Sequence, residues 1–480
     1  MPLLSLPFAA FFLLLFPAYW ALRPWPQGQN LLLAAASVLL LGWASPWYAL
    51  ALLGFVSAIW ALALGLARAP TAQGKRRWML AGVALVALNL GFFKYHDFFA
   101  AQLPPALQGP VAALVMPLGL SWYSFQAIAY LDWLRQRPGS LALRWHELAL
   151  HLGFFVTVSS GPIFRAGLQK STAGRHAGAA IQIQTRVPRS LIAPGWAISL
   201  ILLGIVKKWW LAGALAGQWV DPVLDNPMQH APLAVLTAVY AYTAQLFFDF
   251  SGYTDLVIGL AMLLGFHIPP NFMQPLAAHN IREFWNRWHI SLSSWIRDYI
   301  YIPLGGSQRG FARTQLNLLI ALALSGLWHG QGWNFLLWGL AHGLALVALN
   351  LGDRLCGRRN ALAASRAGRW LGRLLTLHFV CLAFIVFRVT ELQDIALVFQ
   401  AIFRPDLPWA SWPDASTLIA LALLAAAWLL QGALAAGFAA FARTMQSLPA
   451  WAWPLPAAAV MCALVVVAPP GIPAFIYAAF

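Results

Sequence analysis

The chain has 480 residues, of which 61% are hydrophobic and only 9% charged, and its formal net charge is +16. A soluble globule carries charge on about one residue in four, so this composition excludes a water-solvated fold and makes lipid the solvent. The positive charge does not indicate nucleic-acid binding, because the basic residues sit in short loops between apolar runs rather than on a folded basic face.

A helix needs roughly 20 apolar residues to cross a bilayer. Runs of that kind lie at 3–22, 31–50, 51–67, 78–93, 111–131, 148–164 and 193–213. Others follow at 232–248, 255–268, 314–328, 333–351, 374–390, 416–441 and 453–468. Pro and Gly interrupt several of them and some enter and leave by one side, so the expectation is about eleven spans.

Basic residues form three clusters: Arg68 with Lys75, Arg76 and Arg77; Arg165, Lys170, Arg175, Arg186 and Arg189; and Arg354, Arg358, Arg359, Arg366, Arg369 and Arg373. By the positive-inside rule these loops face the cytoplasm. Counting back from Arg68 through three spans, with Arg23 in a short inner loop, places the N-terminus outside. The opening Met-Pro-Leu-Leu-Ser-Leu-Pro has no basic n-region, so the first span is expected to be retained. Cys356, Cys381 and Cys462 are far apart and imply neither a disulfide framework nor a Cys-based metal site. Trp43 and Trp47, among 25 tryptophans, suit the membrane interface.

Polar residues at membrane depth are costly and mark function, and here they concentrate between Gln245 and His342. Asp249 and Asp255 lie in an apolar stretch and need partners, for which Arg282, Arg287 and Arg297 are the candidates. A structural ion-pair network fits these carboxylates at least as well as substrate contact. Next, REFWNRWHISLSSWIRDYIY, from Arg282 to Tyr301, has no window apolar enough to span. Read as one helix at about 100° per residue, it puts Arg282, Asn286, His289 and Ser293 on one stripe and Phe284, Trp288, Leu292 and Trp295 on another. Pro269-Pro270 and Pro303 with Gly305-Gly306 punctuate it, which suits a re-entrant or interfacial helix whose polar stripe lines a cavity. A helix lying in the headgroups is the plainer reading, but those favour Lys and Arg on the polar face, whereas Asn, His and Ser suit a polar ligand.

His329 then interrupts two long apolar runs, bracketed by Gly326, Gly330 and Gly332, which permit close backbone approach. A buried histidine can simply bond a neighbouring carbonyl. Its imidazole, with an ordinary pKa of about 6.5, is also suited to take a proton from a hydroxyl. Acyl transfer from a thioester needs little beyond alignment, a base and oxyanion stabilisation. His329 is therefore the candidate base, with His289 or Asn286 orienting a substrate. On an unbroken helix His342 would face away from His329, which makes it structural. No His-Glu-x-x-His, Cys-His zinc spacing, phosphate-binding loop or Gly-x-Ser-x-Gly occurs, so no metal and no bound cofactor are expected.

FFDFSGYTDLVIGLAMLLGF, NFMQPLAAHNIREFWNRWHISLSSWIRDYIYIPLGG and SGLWHGQGWNFLLWGLAHG resemble the signature blocks of the membrane-bound O-acyltransferase family. Within it they are similar to the bacterial branch of alginate and cellulose acetylation membrane subunits and teichoic acid D-alanyl transferases. GFFKYHDFF, MPLGLSWYSFQAIAYLDWLR, SSGPIFRA and the C-terminal PAFIYAAF extend the resemblance along the chain, while the long polar loop Leu168–Pro188 and Gln331-Gly332 depart from the pattern.

The resemblance implies an all-α polytopic fold, with a ring of helices around a central tunnel, forming a single domain over 1–480. Its parts are N-terminal helices in 1–150, a catalytic core in 230–350 and C-terminal helices in 374–480. His329 matches the family's invariant histidine and His289 its second conserved polar position; Arg282, Asn286, Ser293, Trp328, Asp249 and Tyr253 are the substrate-binding candidates. The implied activity passes acetyl from cytosolic acetyl-CoA across a bacterial inner membrane, N-terminus periplasmic, to an exopolysaccharide of the cellulose or alginate type, directly or through a periplasmic partner protein. D-alanyl transfer and peptidoglycan O-acetylation are the enzyme alternatives; the Ala-, Arg- and Trp-rich composition points to a high-GC proteobacterium, which lacks teichoic acid. A transporter or flippase also has midplane polar groups and broken helices, but no second copy of the Trp-His blocks is found.

Overall fold

A computed structural model describes residues 3–95, 104, 115–137, 139, 141–167, 169–171, 174–360, 362–389, 391–404 and 414–471. The 96–99 end of GFFKYHDFF, the 111–114 start of one expected span, Leu168 and the PAFIYAAF block lie outside the described residues.

The described residues are mostly helical. In order, α1 is Leu6–Ala21, α2 Pro26–Ala44, α3 Pro46–Arg68, α4 Ala72–Lys94, α5 Leu120–Arg135 and α6 Trp145–Gly153. A short antiparallel hairpin, β1 (Gln169–Ser171) with β2 (Gly174–His176), and α7 (Ala179–Ile183) occupy the polar stretch expected as a loop. Then come α8 (Pro194–Leu224), α9 (Pro232–Leu263), α10 (Ile281–Arg287), α11 (Ile290–Ile296), α12 (Phe311–His329) and α13 (Trp333–Leu355). The chain continues through α14 (Arg366–Arg388), α15 (Leu392–Phe403), α16 (Ala415–Ser447) and α17 (Pro454–Val467). Prolines open α2, α3, α8, α9 and α17, where the missing N–H costs no helical bond. Ser365 and Asp414 cap α14 and α16, accepting from the N–H of Gly368 and Thr417 at 2.9 Å each.

Eight helices among the described residues are long and apolar enough to cross a membrane, and α1 and α15 are shorter apolar helices. The protein is thus a multi-pass membrane protein, and the expectation of about eleven spans exceeds this count. Two runs behave differently from their expectation. Residues 232–248 and most of 255–268 fuse into the 32-residue α9, because the intervening Asp249 and Ser251 are accommodated inside the helix. Residues 148–164 form only the end of nine-residue α6 followed by turns, so they do not span. The most apolar window of α16 is only 6% buried, as a lipid-facing helix requires.

Two compact units emerge, Met1–Ala197 with Val257–Pro269, and Ile198–Leu256 with Pro270–Phe480. In the first, Leu52, Phe55, Val56, Ile59, Ala63 and Leu66 recur three and four residues apart, so α3 buries one face. That face packs on Tyr123, Ala127, Tyr130 and Leu134 of α5 and on Leu148 and Leu152 of α6. Two arginines of the second basic cluster are not in solvent, contrary to their reading as loop charges: Arg165 and Arg189 are both buried. The Arg189 guanidinium donates to Asn30 Oδ1 at 2.7 Å and lies 4.5 Å over the Phe266 ring, which desolvates it against specific partners.

In the second unit α8 and α9 touch backbone to backbone. A Cβ on Gly252 would sit 2.9 Å from the Gly204 carbonyl oxygen and 3.0 Å from Lys208 N. That approach sets two ion pairs side by side, Lys207 Nζ to Asp255 at 2.7 Å and Lys208 Nζ to Asp249, the latter fully buried. Part of α8 here is wound as a π-helix, Val206–Ala212. The arginines expected to pair with these carboxylates are engaged elsewhere. Arg282 binds Asp353, Arg287 binds Glu283, and Arg297 binds Asp298. Lys207 and Lys208 sit against Gly252, three residues from each aspartate on α9, and so within reach of both.

Candidate functional site

His329 is the last residue of α12 and is 4% exposed. The chain extends through Gly330, turns, and starts α13 at Trp333. Glycine makes this hairpin possible: a Cβ on Gly326 would run into the Phe335 carbonyl oxygen, one on Gly339 into that of Leu322, and one on Gly330 into the Phe335 ring. Close-packed backbones fix where α12 ends and α13 begins, and so where His329 stands. Its ring lies 4.6 Å from Trp328, 5.1 Å from Trp338 and 5.1 Å from Phe387, the last two edge-on. Asn334 Nδ2 donates to the Val389 carbonyl at 2.8 Å and ties the start of α13 to the end of α14, which carries Phe387.

The helix does not run unbroken from His329 to His342, so a continuous helical phase does not relate the two, contrary to expectation. Because Gly330–Gly332 folds α13 back, Trp338 touches both imidazoles, with His342 at 4.8 Å. His342 is fully buried among Trp285, Trp338 and Phe379, and neither ring nitrogen has a hydrogen-bond partner among the described residues.

The segment 282–301 is likewise not one helix. Trp288 leaves the helical region and His289 adopts φ 44° and ψ 51°, a left-handed backbone that separates α10 from α11. Histidine visits that region more readily than most side chains, at a cost of about 1–2 kcal/mol. The single polar stripe is therefore divided. His289 is turned inward, 2% exposed, with its ring 4.7 Å from Phe250 edge-on and Nδ1 3.4 Å from Asn271 Oδ1. Burial pulls its pKa down to about 3, so the imidazole is neutral.

Phe250 stands on the turn of α9 that bears Asp249 and Tyr253, both buried, which brings His289 to that turn. Ser293 Oγ donates to the Trp288 carbonyl at 3.0 Å, closing the break below His289. Asn286 is exposed. Arg282 points to the end of α13, donating to Asn350 Oδ1 at 2.6 Å, Asp353 Oδ2 at 2.9 Å and Asn360 Oδ1 at 2.7 Å. Of the candidates, then, His329 packs on Trp328, His289 meets the turn of α9 that bears Asp249 and Tyr253, and Arg282 donates to side chains at and beyond the end of α13. Ring contacts run from His289 through Phe250, Phe272, Trp288, Phe384 and Phe387 to His329, in steps of 4.7 to 6.2 Å. Sequence reasoning missed Asn271, Lys207, Lys208 and the His342–Trp338 contact. The lysine pair inside the apolar 201–213 run was a visible signal; Asn271 was visible only as one letter in NFMQP.

No group of three or more His, Cys, Asp or Glu placed to hold a metal occurs among the described residues. What the arrangement offers is a buried histidine among aromatic rings on a glycine turn and a second, neutral histidine on a hydrogen-bonded one.

Residues 217–391 match the family described as "MBOAT, membrane-bound O-acyltransferase family", a stretch that includes both histidines. The chain is 32% identical over 413 residues to a protein of Azotobacter vinelandii described as "Probable alginate O-acetylase AlgI", covering 82% of this chain and 77% of that one. It is 31% identical over 348 residues to the peptidoglycan O-acetyltransferase of Helicobacter pylori, covering 67% and 63%. It is 29% identical over 298 residues to the teichoic acid D-alanyltransferase of Bacillus subtilis, covering 59% and 71%.

Proposed function

The chain belongs to the membrane-bound O-acyltransferase family, and from that premise we propose that it passes acetyl from cytosolic acetyl-CoA to hydroxyls of an exopolysaccharide of the alginate or cellulose type. The observation that carries this is His329, buried at a glycine-locked turn inside the family-matched stretch. Relatives named for alginate and for peptidoglycan both transfer acetyl and differ in the polymer, which supports acetyl as the group moved. D-alanyl transfer, named for a relative at 29% identity, is the alternative acyl group.

In this reading His329 accepts the proton of the attacking hydroxyl as its oxygen bonds to the thioester carbonyl carbon. The tetrahedral oxyanion then collapses, the carbon–sulfur bond breaks, and the thiolate leaves and takes the proton back from the imidazolium. Aromatic walls around His329 exclude water, which disfavours hydrolysis of the thioester. His289 orients the hydroxyl, and Asp249, Tyr253, Ser293, Asn286 and Trp328 are the residues proposed to shape the substrate path. Together they form the core within 230–350 that we assign to catalysis, in a single functional domain.

The protein is placed in a bacterial inner membrane with its N-terminus periplasmic. The basic loops around Arg68 and Arg354 then lie at the cytoplasmic face, where they attract the anionic donor. Delivery to the polymer, direct or through a periplasmic partner, takes place on the other side. Purified protein in vesicles, given radiolabelled acetyl-CoA on the Lys75 side and alginate or cellulose on the other, is expected to label the polymer. Labelling only from the opposite side contradicts the direction of transfer, and labelling from a D-alanyl carrier alone contradicts the donor.

A further inference from the structure

Asn271 lies in the NFMQP stretch just ahead of α10, is wholly buried, and has no role in the reading above. Its main-chain carbonyl accepts from Ile290 N at 2.9 Å, which pins the first residue of α11 directly after His289. Its side-chain Oδ1 accepts from Ser291 N at 3.0 Å and from Ser291 Oγ at 2.9 Å, and lies 3.4 Å from His289 Nδ1.

Which end of the amide faces the histidine follows from one of these contacts. A main-chain N–H only donates, so the atom 3.0 Å from Ser291 N has to be the carbonyl oxygen. That same oxygen faces His289 Nδ1 and carries no proton to give. The hydrogen bond exists only if Nδ1 bears the proton, and a neutral imidazole then holds its lone pair on Nε2.

We propose that Asn271 is a positioning residue that holds His289 in the Nδ1-protonated tautomer, so that Nε2 accepts a hydrogen bond from the hydroxyl awaiting acylation. The left-handed backbone at His289 sets the ring's direction, and the amide oxygen sets which nitrogen carries hydrogen. Neither task falls to Asn271 Nδ2, which makes no hydrogen bond among the described residues. Replacing the amide by a carboxylate therefore breaks no bond and keeps an acceptor toward both Ser291 and Nδ1, whereas an aliphatic residue removes it. The inference rests on the acyl-transfer reading for the use of Nε2. The tautomer itself is measurable whether or not the protein turns over.

The test is nitrogen-15 NMR of histidine-labelled full-length protein in detergent, with His289 identified by difference against His289→Asn, alongside acetyl-transfer kinetics of three variants. In the parent protein the His289 signals are expected to show a protonated Nδ1. Asn271→Leu is expected to lose that signature and about 10- to 100-fold in kcat with the donor KM unchanged, by analogy with the loss seen when the orienting partner of a metal-ligating histidine is removed. Asn271→Asp is expected to restore the signature and most of the turnover. Ser291→Ala, which disturbs the same network without touching the Asn271–His289 bond, is expected to stay within about threefold of the parent. A protonated Nε2 in the parent overturns the proposal. So does Asn271→Leu keeping the parent signature, or Ser291→Ala losing as much activity as Asn271→Leu.

Discussion

The two histidine turns are held by opposite devices. Around His329 the chain is fixed by missing side chains: Gly326 and Gly339 let α12 and α13 meet backbone to backbone, and aromatic edges fill the rest. Around His289 it is fixed by hydrogen bonds, with Asn271 holding His289 and the start of α11 and the backbone bent to a positive φ. A steric lock fails when atoms are added, and a hydrogen-bonded lock fails when partners are removed. Groups that move a proton benefit from the first kind, since it excludes water and tolerates no drift. Groups that orient a hydroxyl benefit from the second, since it dictates tautomer and direction.

Substitutions at four sites sharpen that contrast, from the largest effect to the smallest. Lys208→Ala removes the lysine of the buried pair with Asp249, one residue from Phe250, the ring that backs His289. A stability loss of about 3–5 kcal/mol is expected, measured as loss of monodisperse protein on heating in detergent. Pairing it with Asp249→Asn recovers most of that loss. Gly326→Ala drives a Cβ into the Phe335 carbonyl, costs about 1–3 kcal/mol, and shifts His329 enough to lower kcat about 100-fold. At His289, alanine and glycine both lose most activity. Because φ is 44°, however, glycine is expected to be about 1 kcal/mol more stable than alanine in thermal unfolding, the reverse of the order inside a helix. Arg282→Ala frees the end of α13 and costs about 1 kcal/mol, since the pair with Asp353 is partly exposed, while both substrate KM values stay unchanged. A raised acceptor KM there would return Arg282 to the substrate path.

The lipid solvent, the helical class and the burial of both histidines were legible because composition and intrusive polar residues depend on no long-range contact. The glycines around His329 also read correctly as points of close approach. What did not read was phase. A helical wheel over Arg282–Tyr301 assumes a continuous helix, and one left-handed residue at His289 divides it. The same assumption misplaced His342, which a turn at Gly330–Gly332 returns to the Trp338 side of His329. Ion-pair partners were likewise out of reach, because Lys207 and Lys208 meet Asp255 and Asp249 only through the packing of Gly204 against Gly252. Pairing across 41 or 48 residues is set by tertiary structure, for which spacing carries no signal.

The central claim is that His329 is the base for acyl transfer, and it is tested most directly by thiol release from acetyl-CoA with acceptor polysaccharide present, purified parent protein against His329→Ala. The account predicts a fall of about 100- to 10,000-fold with insertion and monodispersity retained. Release at the parent rate from a well-folded His329→Ala protein would contradict it.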